Sequence, residues 1–165
     1  MIKQSDDIID HLIFEWNQER PELDASAMEI VGRVIRLGKL LEKSAGKALQ
    51  DCQIYYTDLD VLATLRRSGK PYELTPKQLM KSVLITSGSM TALLNRLTKL
   101  GLIYRIVDKK DKRIRRAVLT NKGINTIDNA IKLRFEEANN STSIMNSQEK
   151  EQLKMLLKKL LSNLD

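Results

Sequence analysis

Fifty residues decide the fold, "LTPKQLMKSVLITSGSMTALLNRLTKLGLIYRIVDKKDKRIRRAVLTNKG", Leu74 to Gly123. Thr75-Pro76 sets a hydroxyl N-cap before a proline at the first helical position. The hydroxyl satisfies one orphan amide and the proline removes another, so a helix opens there over "KQLMKSV". After Leu84-Ile85, "TSGSM" supplies a turn and a second cap. Met90, Leu93, Leu94, Leu97 and Leu100 then recur on one helical face, which Gly101 ends. This is a helix-turn-helix pattern. From Leu102 to Val107 and from Ile114 to Leu119, β-branched and aromatic residues take over, with six polar and charged residues between them. A β-hairpin is predicted, although its tip lacks the Asn-Gly of a tight two-residue turn. Helix-turn-helix followed by a two-stranded wing places a candidate recognition helix directly before a basic tip.

Working outward, Ile8, Ile9, Leu12, Ile13 and Trp16 mark a short amphipathic helix that stops before Pro21. Asp24 or Ser26 caps a longer one, in which Ala27, Val31, Val34, Gly38, Leu41, Ala45 and Ala48 keep a heptad-like stripe. Its small residues allow a close helix approach. Thr57 precedes Asp58, Leu59, Val61, Leu62 and Leu65, a compact helix ending near Ser68-Gly69. Beyond the hairpin, Thr120 caps a helix through Ile124, Ile127, Ile131 and Phe135, and "EEANNSTS", Glu136 to Ser143, reads as a polar connector. "NSQE", Asn146 to Glu149, is an Asn-x-x-Glu variant of the capping box. Its helix carries Leu153, Leu156, Leu157, Leu160, Leu161 and Leu164 on one face, and that face requires a partner.

The 165 residues suit one sizeable domain, or a small domain with an added helical oligomerisation region. The first residues hold no apolar signal core, and no run approaches the roughly 20 apolar residues of a membrane span, so a soluble cytoplasmic protein is expected. Cys52 is the only cysteine, which excludes an intrachain disulfide and any cysteine cluster for a metal. With one histidine, no phosphate-binding glycine loop and no nucleophile beside a base, no catalytic set is assembled, and neither enzyme nor cofactor is expected. The net charge of +7 is concentrated: Lys99 to Arg116 holds eight basic residues against two acids, or +6. Concentrated basic charge is the footprint of a polyanion, because neutralised phosphates release counterions. A charge run alone is also what a solvated surface looks like. The helix-turn-helix immediately before this run tips the reading towards double-stranded DNA, with the helix in the major groove and the wing at the minor groove or backbone.

The same fifty residues resemble the winged helix-turn-helix of the multiple-antibiotic-resistance regulator (MarR) family of bacterial repressors. The resemblance is carried most specifically by "LNRLTKLGLI", by Asp-x-x-Asp-x-Arg at Asp108, Asp111 and Arg113, and by the closing "LTNKG". It implies a mainly α fold with a small β wing: a winged DNA-binding domain at 54–122, with helices at 1–53 and 123–165 together forming a dimerisation region. It also implies a homodimer on a pseudo-palindromic operator. Arg113 would enter the minor groove, oriented by Asp111. Ser87, Ser89, Thr91 and Asn95 would reach bases or phosphates from the recognition helix. Lys109, Lys110 and Lys112 would supply sequence-independent phosphate affinity. Arg96 has two readings, a DNA contact or a structural ion pair.

Members of this family usually respond to small anionic aromatic compounds or to oxidants. "EWNQERPELD", Glu15 to Asp24, resembles the N-terminal extension of a urate-responsive branch. Trp16, Asp60 and Arg105 match three of that branch's four pocket residues, and Leu93 stands where the fourth, an arginine, is expected. The resemblance therefore implies a smaller aromatic or phenolic anion, stacked on Trp16 and paired with Arg105. Bland alternatives stand beside each assignment: Trp16 as a packing residue, Asp60 with Arg105 as an ion pair, and His11 as a partly buried helix residue. Cys52, near Tyr55 and Tyr56, leaves open a redox-responsive regulator. A winged-helix module for protein partners, with little DNA binding, is the other competing class.

Overall fold

The computed structural model describes residues 6–83, 87–108 and 111–164, with Ser87 described by its backbone alone. The chain divides into two compact units, residues 1–44 and 45–165. Among the described residues no helix is long and apolar enough to cross a membrane.

In the first unit, α1 (Ile8–Glu19) opens on a capping box. The Asp7 carboxylate accepts from the amides of Ile9 and Asp10, and the Asp10 carboxylate accepts from that of Asp7. The helix ends before Pro21, as its sequence requires. Asp24 accepts the Ser26 amide at 2.9 Å, and α2 (Ser26–Ala48) begins there. Gly32 gives α1 and α2 their close approach, because a Cβ there would stand 3.1 Å from the Ile9 side chain. Arg33 closes the pair electrostatically, donating to Asp7 at 2.9 Å and to Asp10 at 2.6 Å. Most of the apolar stripe of α2 remains exposed, including Val31, Val34 and Leu41.

The second unit continues through a 3-10 turn (Gln50–Cys52) into α3 (Tyr56–Arg67). This helix begins ahead of Thr57, because the Asp58 carboxylate reaches back to the Tyr55 amide at 2.8 Å. α4 (Pro76–Ser82) starts at the expected Thr75-Pro76 signal. Gln78 completes a reciprocal box, with its amide on the Thr75 hydroxyl and its side chain accepting from the Thr75 amide. Of the turn and cap expected at "TSGSM", Thr86 lies outside the described residues and Ser87 to Met90 already belong to the next helix. α5 (Ser87–Lys99) then buries Met90, Leu94 and Leu97 against Leu59, Leu62 and Leu65 of α3 in one continuous core.

The wing differs from the two-stranded expectation. β2 (Ile103–Val107) and β3 (Arg115–Leu119) pair antiparallel, each one residue shorter than read, and β1 (Glu73–Leu74) adds a third strand in the order β1-β3-β2. Glu73 pairs with Val118 and Leu74 with Ala117. Two residues are too few to show an alternating period, so β1 has no signature of its own; it exists because β3 offers it an edge.

α6 (Asn121–Ser141) also corrects the reading, since it runs through most of the stretch taken as a connector at Glu136 to Ser143. Glu137 is largely buried and accepts from Arg134 and Ser141, both at 2.6 Å, so polar side chains one turn apart carry the helix onward. α7 (Ser147–Leu161) opens on the expected Asn146–Glu149 box and keeps Leu156, Leu157 and Leu161 exposed.

The junction at "LTNKG" holds the unit together. Gly101 takes φ +70°, and the Leu102 amide donates back to Leu97 at 3.0 Å, the Schellman closure of α5. The Thr120 hydroxyl donates to the Gly101 carbonyl at 2.7 Å and accepts the Gly123 amide at 2.9 Å, capping two helices at once. Lys122 covers the Leu100 carbonyl at 2.9 Å. Gly123 leaves no room: a Cβ there would overlap the Leu102 carbonyl oxygen, with the carbonyl carbon 3.0 Å away. Gly123→Ala should therefore destabilise the fold by about 2–3 kcal/mol, in the range of core overpacking. A urea-unfolding midpoint equal to that of the parent chain would refute this account of the motif.

Candidate nucleic-acid interface

α5 buries its apolar face in the core and turns Ser89, Thr91 and Asn95 outward. Ser87 is its first residue. Asn95 is not loose: Arg105 on β2 donates to its side-chain oxygen at 3.2 Å, tying wing to helix. The Nε of Arg105 is buried and has no hydrogen-bond acceptor among the described residues.

Arg96 resolves towards the structural alternative. Its guanidinium pairs with the carboxylate of Asp58, which is 1% exposed, and stacks 4.1 Å from the centroid of the Tyr55 ring. Asp58 thus joins the start of α3 to the recognition helix, holding the Tyr55 amide and Arg96 on the same oxygen, Oδ2. Its other oxygen has no hydrogen bond among the described residues, so Arg96 is the cation that makes this buried charge tolerable. Beside this pair lies a cavity of about 370 Å³ lined by Gly46, Gln50, Gln53, Ile54, Tyr55, Tyr56 and Arg96.

At the wing tip, Asp111 and Arg113 form the expected unit. Arg113 donates to the two carboxylate oxygens of Asp111 from Nε and Nη2, each at 3.2 Å, and its amide donates to the same carboxylate at 3.0 Å. These hydrogen bonds hold the Asp111 carboxyl below the usual carboxylate range, so the acid stays charged at neutral pH. The Arg113 side chain is 91% exposed. Lys112 is exposed beside it, while Lys109 and Lys110 lie outside the described residues.

Of the three expected effector residues, Trp16 lies on α1 in the first unit and is 54% exposed. Asp60, on α3, is half-buried. Burial raises its pKa, partly offset by the charges of Arg67 and Arg134. Arg105 is committed to Asn95, so the simple Asp60–Arg105 ion pair weighed from sequence is not what either group forms. His11 is half-buried on α1, as expected. Cys52 is partly buried, with the Asn129 amide 3.5 Å from its sulfur. The sequence reading missed Asp58, which looked like one more acid in a helix start, and it counted Arg116 only as part of the basic run although Asp108 holds it at 2.5 Å.

A three-stranded wing packed behind a helix-turn-helix defines a winged helix-turn-helix DNA-binding protein. Residues 55–114 match the sequence model of the MarR family. The HTH-type transcriptional regulator PecS of Dickeya dadantii (strain 3937) is 29% identical over 149 residues, 90% of each chain. Among solved structures, a MarR variant from E. coli complexed with operator DNA matches with a TM-score of 0.72 at 24% identity, over 88% of this chain and 97% of that one. The organohalide-sensing regulator RdhR-CbdbA1625, bound to 2,4-dichlorophenol, matches with a TM-score of 0.75 at 21% identity, over 99% of this chain and 88% of that one. The winged part of the chain, residues 55–114, thus carries the MarR-family pattern, and the chain as a whole is similar to transcriptional regulators rather than to enzymes.

The Asp58–Arg96 pair generates a direct test. Arg96→Met strands a buried carboxylate and should lower stability by roughly 3 kcal/mol, within the range for breaking one partner of a buried pair. An unchanged thermal midpoint with weakened DNA binding would return Arg96 to the DNA-contacting set.

Proposed function

We propose that the chain is a homodimeric, ligand-responsive transcriptional repressor that works in the cytoplasm, binds a pseudo-palindromic operator and is released by a small aromatic or phenolic anion. One observation carries the DNA half of this reading: a guanidinium 91% exposed at the wing tip yet held by both oxygens of Asp111. An exposed arginine gains little stability from a surface pair, whereas a minor groove rewards an arginine presented at a fixed angle. Residues 54–122 act as the DNA-binding domain. Ser87, Ser89, Thr91 and Asn95 face the major groove from α5. Arg113, oriented by Asp111, reads the minor groove, and Lys109, Lys110 and Lys112 meet the backbone. Arg96 acts mainly from behind, through Asp58.

The homodimer is supported by apolar side chains that a lone chain leaves in water, Leu12 and Trp16 on α1, Ile30 and Ile35 on α2, and Leu156 and Leu161 on α7. A second copy burying these faces within 1–53 and 123–165 would give the two-fold symmetry that a pseudo-palindrome mirrors. The effector class is supported by the dichlorophenol bound to the structural relative RdhR and by the charge of Arg105. The family resemblance assigns Trp16 and Asp60 to the same effector, the first for its aromatic ring and the second as a carboxylate whose pKa burial raises. A ligand that prefers one dimer arrangement shifts the population away from operator spacing.

Binding to DNA from upstream of its own gene, measured across a salt series, tests the first half. Arg113→Ala should cost roughly 1–3 kcal/mol of specific affinity, as the loss of a direct contact does; equal affinity would sink the wing assignment. Trp16 is the only tryptophan, so fluorescence titration with phenolic acids and urate tests the second half. Quenching that saturates with a phenolic acid is expected. A flat signal with every compound removes the assignment of Trp16 to the effector and leaves the DNA-binding reading intact.

A further inference from the structure

The wing tip is held by a charged relay that starts outside the hairpin. Arg116 on β3 extends between Glu73 on β1, 3.7 Å from its Nη1, and Asp108 at the end of β2, 2.5 Å from its Nε. Asp108 is 5% exposed, an unusual burial for a carboxylate in a surface loop. Its Oδ1 accepts the Asp111 amide at 3.0 Å, its own amide donates to the Ile114 carbonyl, and the Ile114 amide donates to the Asp111 carbonyl, both at 2.9 Å. Asp111 then fixes Arg113. Each link therefore constrains the next, from the edge strand to the exposed guanidinium.

We propose that Asp108 and Arg116 are positioning residues for DNA recognition, braced by Glu73 and fixing the wing tip so that Arg113 is presented in one orientation. The inference rests on the DNA-binding reading of Arg113 and names residues behind it that touch no DNA. Arg116 differs in kind from the other cations of the basic run. Its side chain is 25% exposed and its charge is spent on two carboxylates, so it adds anchoring rather than phosphate affinity. Asp108 is the hinge of the relay, with one oxygen for the ion pair and the other for the turn. An asparagine there keeps an acceptor for the Asp111 amide but cannot neutralise Arg116.

A double-mutant cycle in the full-length protein separates positioning from contact. The probes are a duplex covering the DNA immediately upstream of its own coding sequence and a scrambled duplex of equal length. Asp108→Asn and Arg116→Gln should each weaken specific binding about tenfold, towards the low end of losing a direct contact. In an Arg113→Ala background the same changes should cost less than about twofold, because their effect passes through a side chain already removed. Arg116→Lys, which keeps the charge, should recover part of the loss. In DNA-free protein, amide exchange at Asp111 and Ile114 should accelerate in Asp108→Asn and Arg116→Gln but not in Arg113→Ala, while core amides of α3 stay protected. Equal losses with and without Arg113 would make Arg116 a phosphate contact or a general stability residue and overturn the proposal. Unchanged exchange at the tip would overturn it as well. Should Arg113→Ala itself leave binding intact, the DNA reading of the wing falls and the positioning role falls with it, an outcome distinct from additive losses.

Discussion

The Leu102 carbonyl is the joint on which the winged unit depends. It accepts from the Thr120 amide at 3.1 Å and from the Thr120 hydroxyl at 3.2 Å, and Gly123 packs directly against it. At that point the end of the recognition helix, the start of β2, the end of β3 and the start of α6 all meet. With a Cβ at position 123, α6 could not approach closely enough for Thr120 to cap it and close α5 together. The wing's angle to the recognition helix follows from this joint, because β2 and β3 leave it in fixed register.

The basic residues that made DNA a candidate partner are sorted by the fold into two populations. Arg96 and Arg116 turn inward, to Asp58 and Asp108, and Arg105 bonds to Asn95. Lys112, Arg113 and Arg115 remain exposed. The inward pair is neutralised at close range by its carboxylates and adds little to long-range steering; its part is to hold the outward set in place. A charge count treats both sets alike because it does not know which carboxylates the chain brings near.

Most of the fold was legible in the sequence because its signals are local. Caps, periods and turn residues act within a few positions, so Thr75-Pro76, the α5 stripe, Gly101 and Asn146–Glu149 could all be read in place. Readings failed where structure depends on distant partners. β1 needs an edge on β3, more than forty residues away, and α6 continues past Phe135 because Glu137 finds Arg134 and Ser141 inside a buried face. The candidate site divides the same way. The Asp111–Arg113 fork is two residues wide and was expected, whereas Asp58–Arg96 spans 38 residues and stood only as one of two readings of Arg96.

By itself the sequence determined most of the helices, the two long wing strands and the placing of a basic tip after the second helix of the winged domain, all consequences of short-range geometry and of the charges a segment carries. Only the tertiary structure decided which charges are spent internally. Burial makes an ion pair matter, and burial is a property of the packed chain rather than of any stretch within it. Asp108 and Arg116 illustrate the difference: eight positions apart, one reads as part of the wing pattern and the other as one more cation of the basic run, and once β1, β2 and β3 pair they become the internal link that holds the tip.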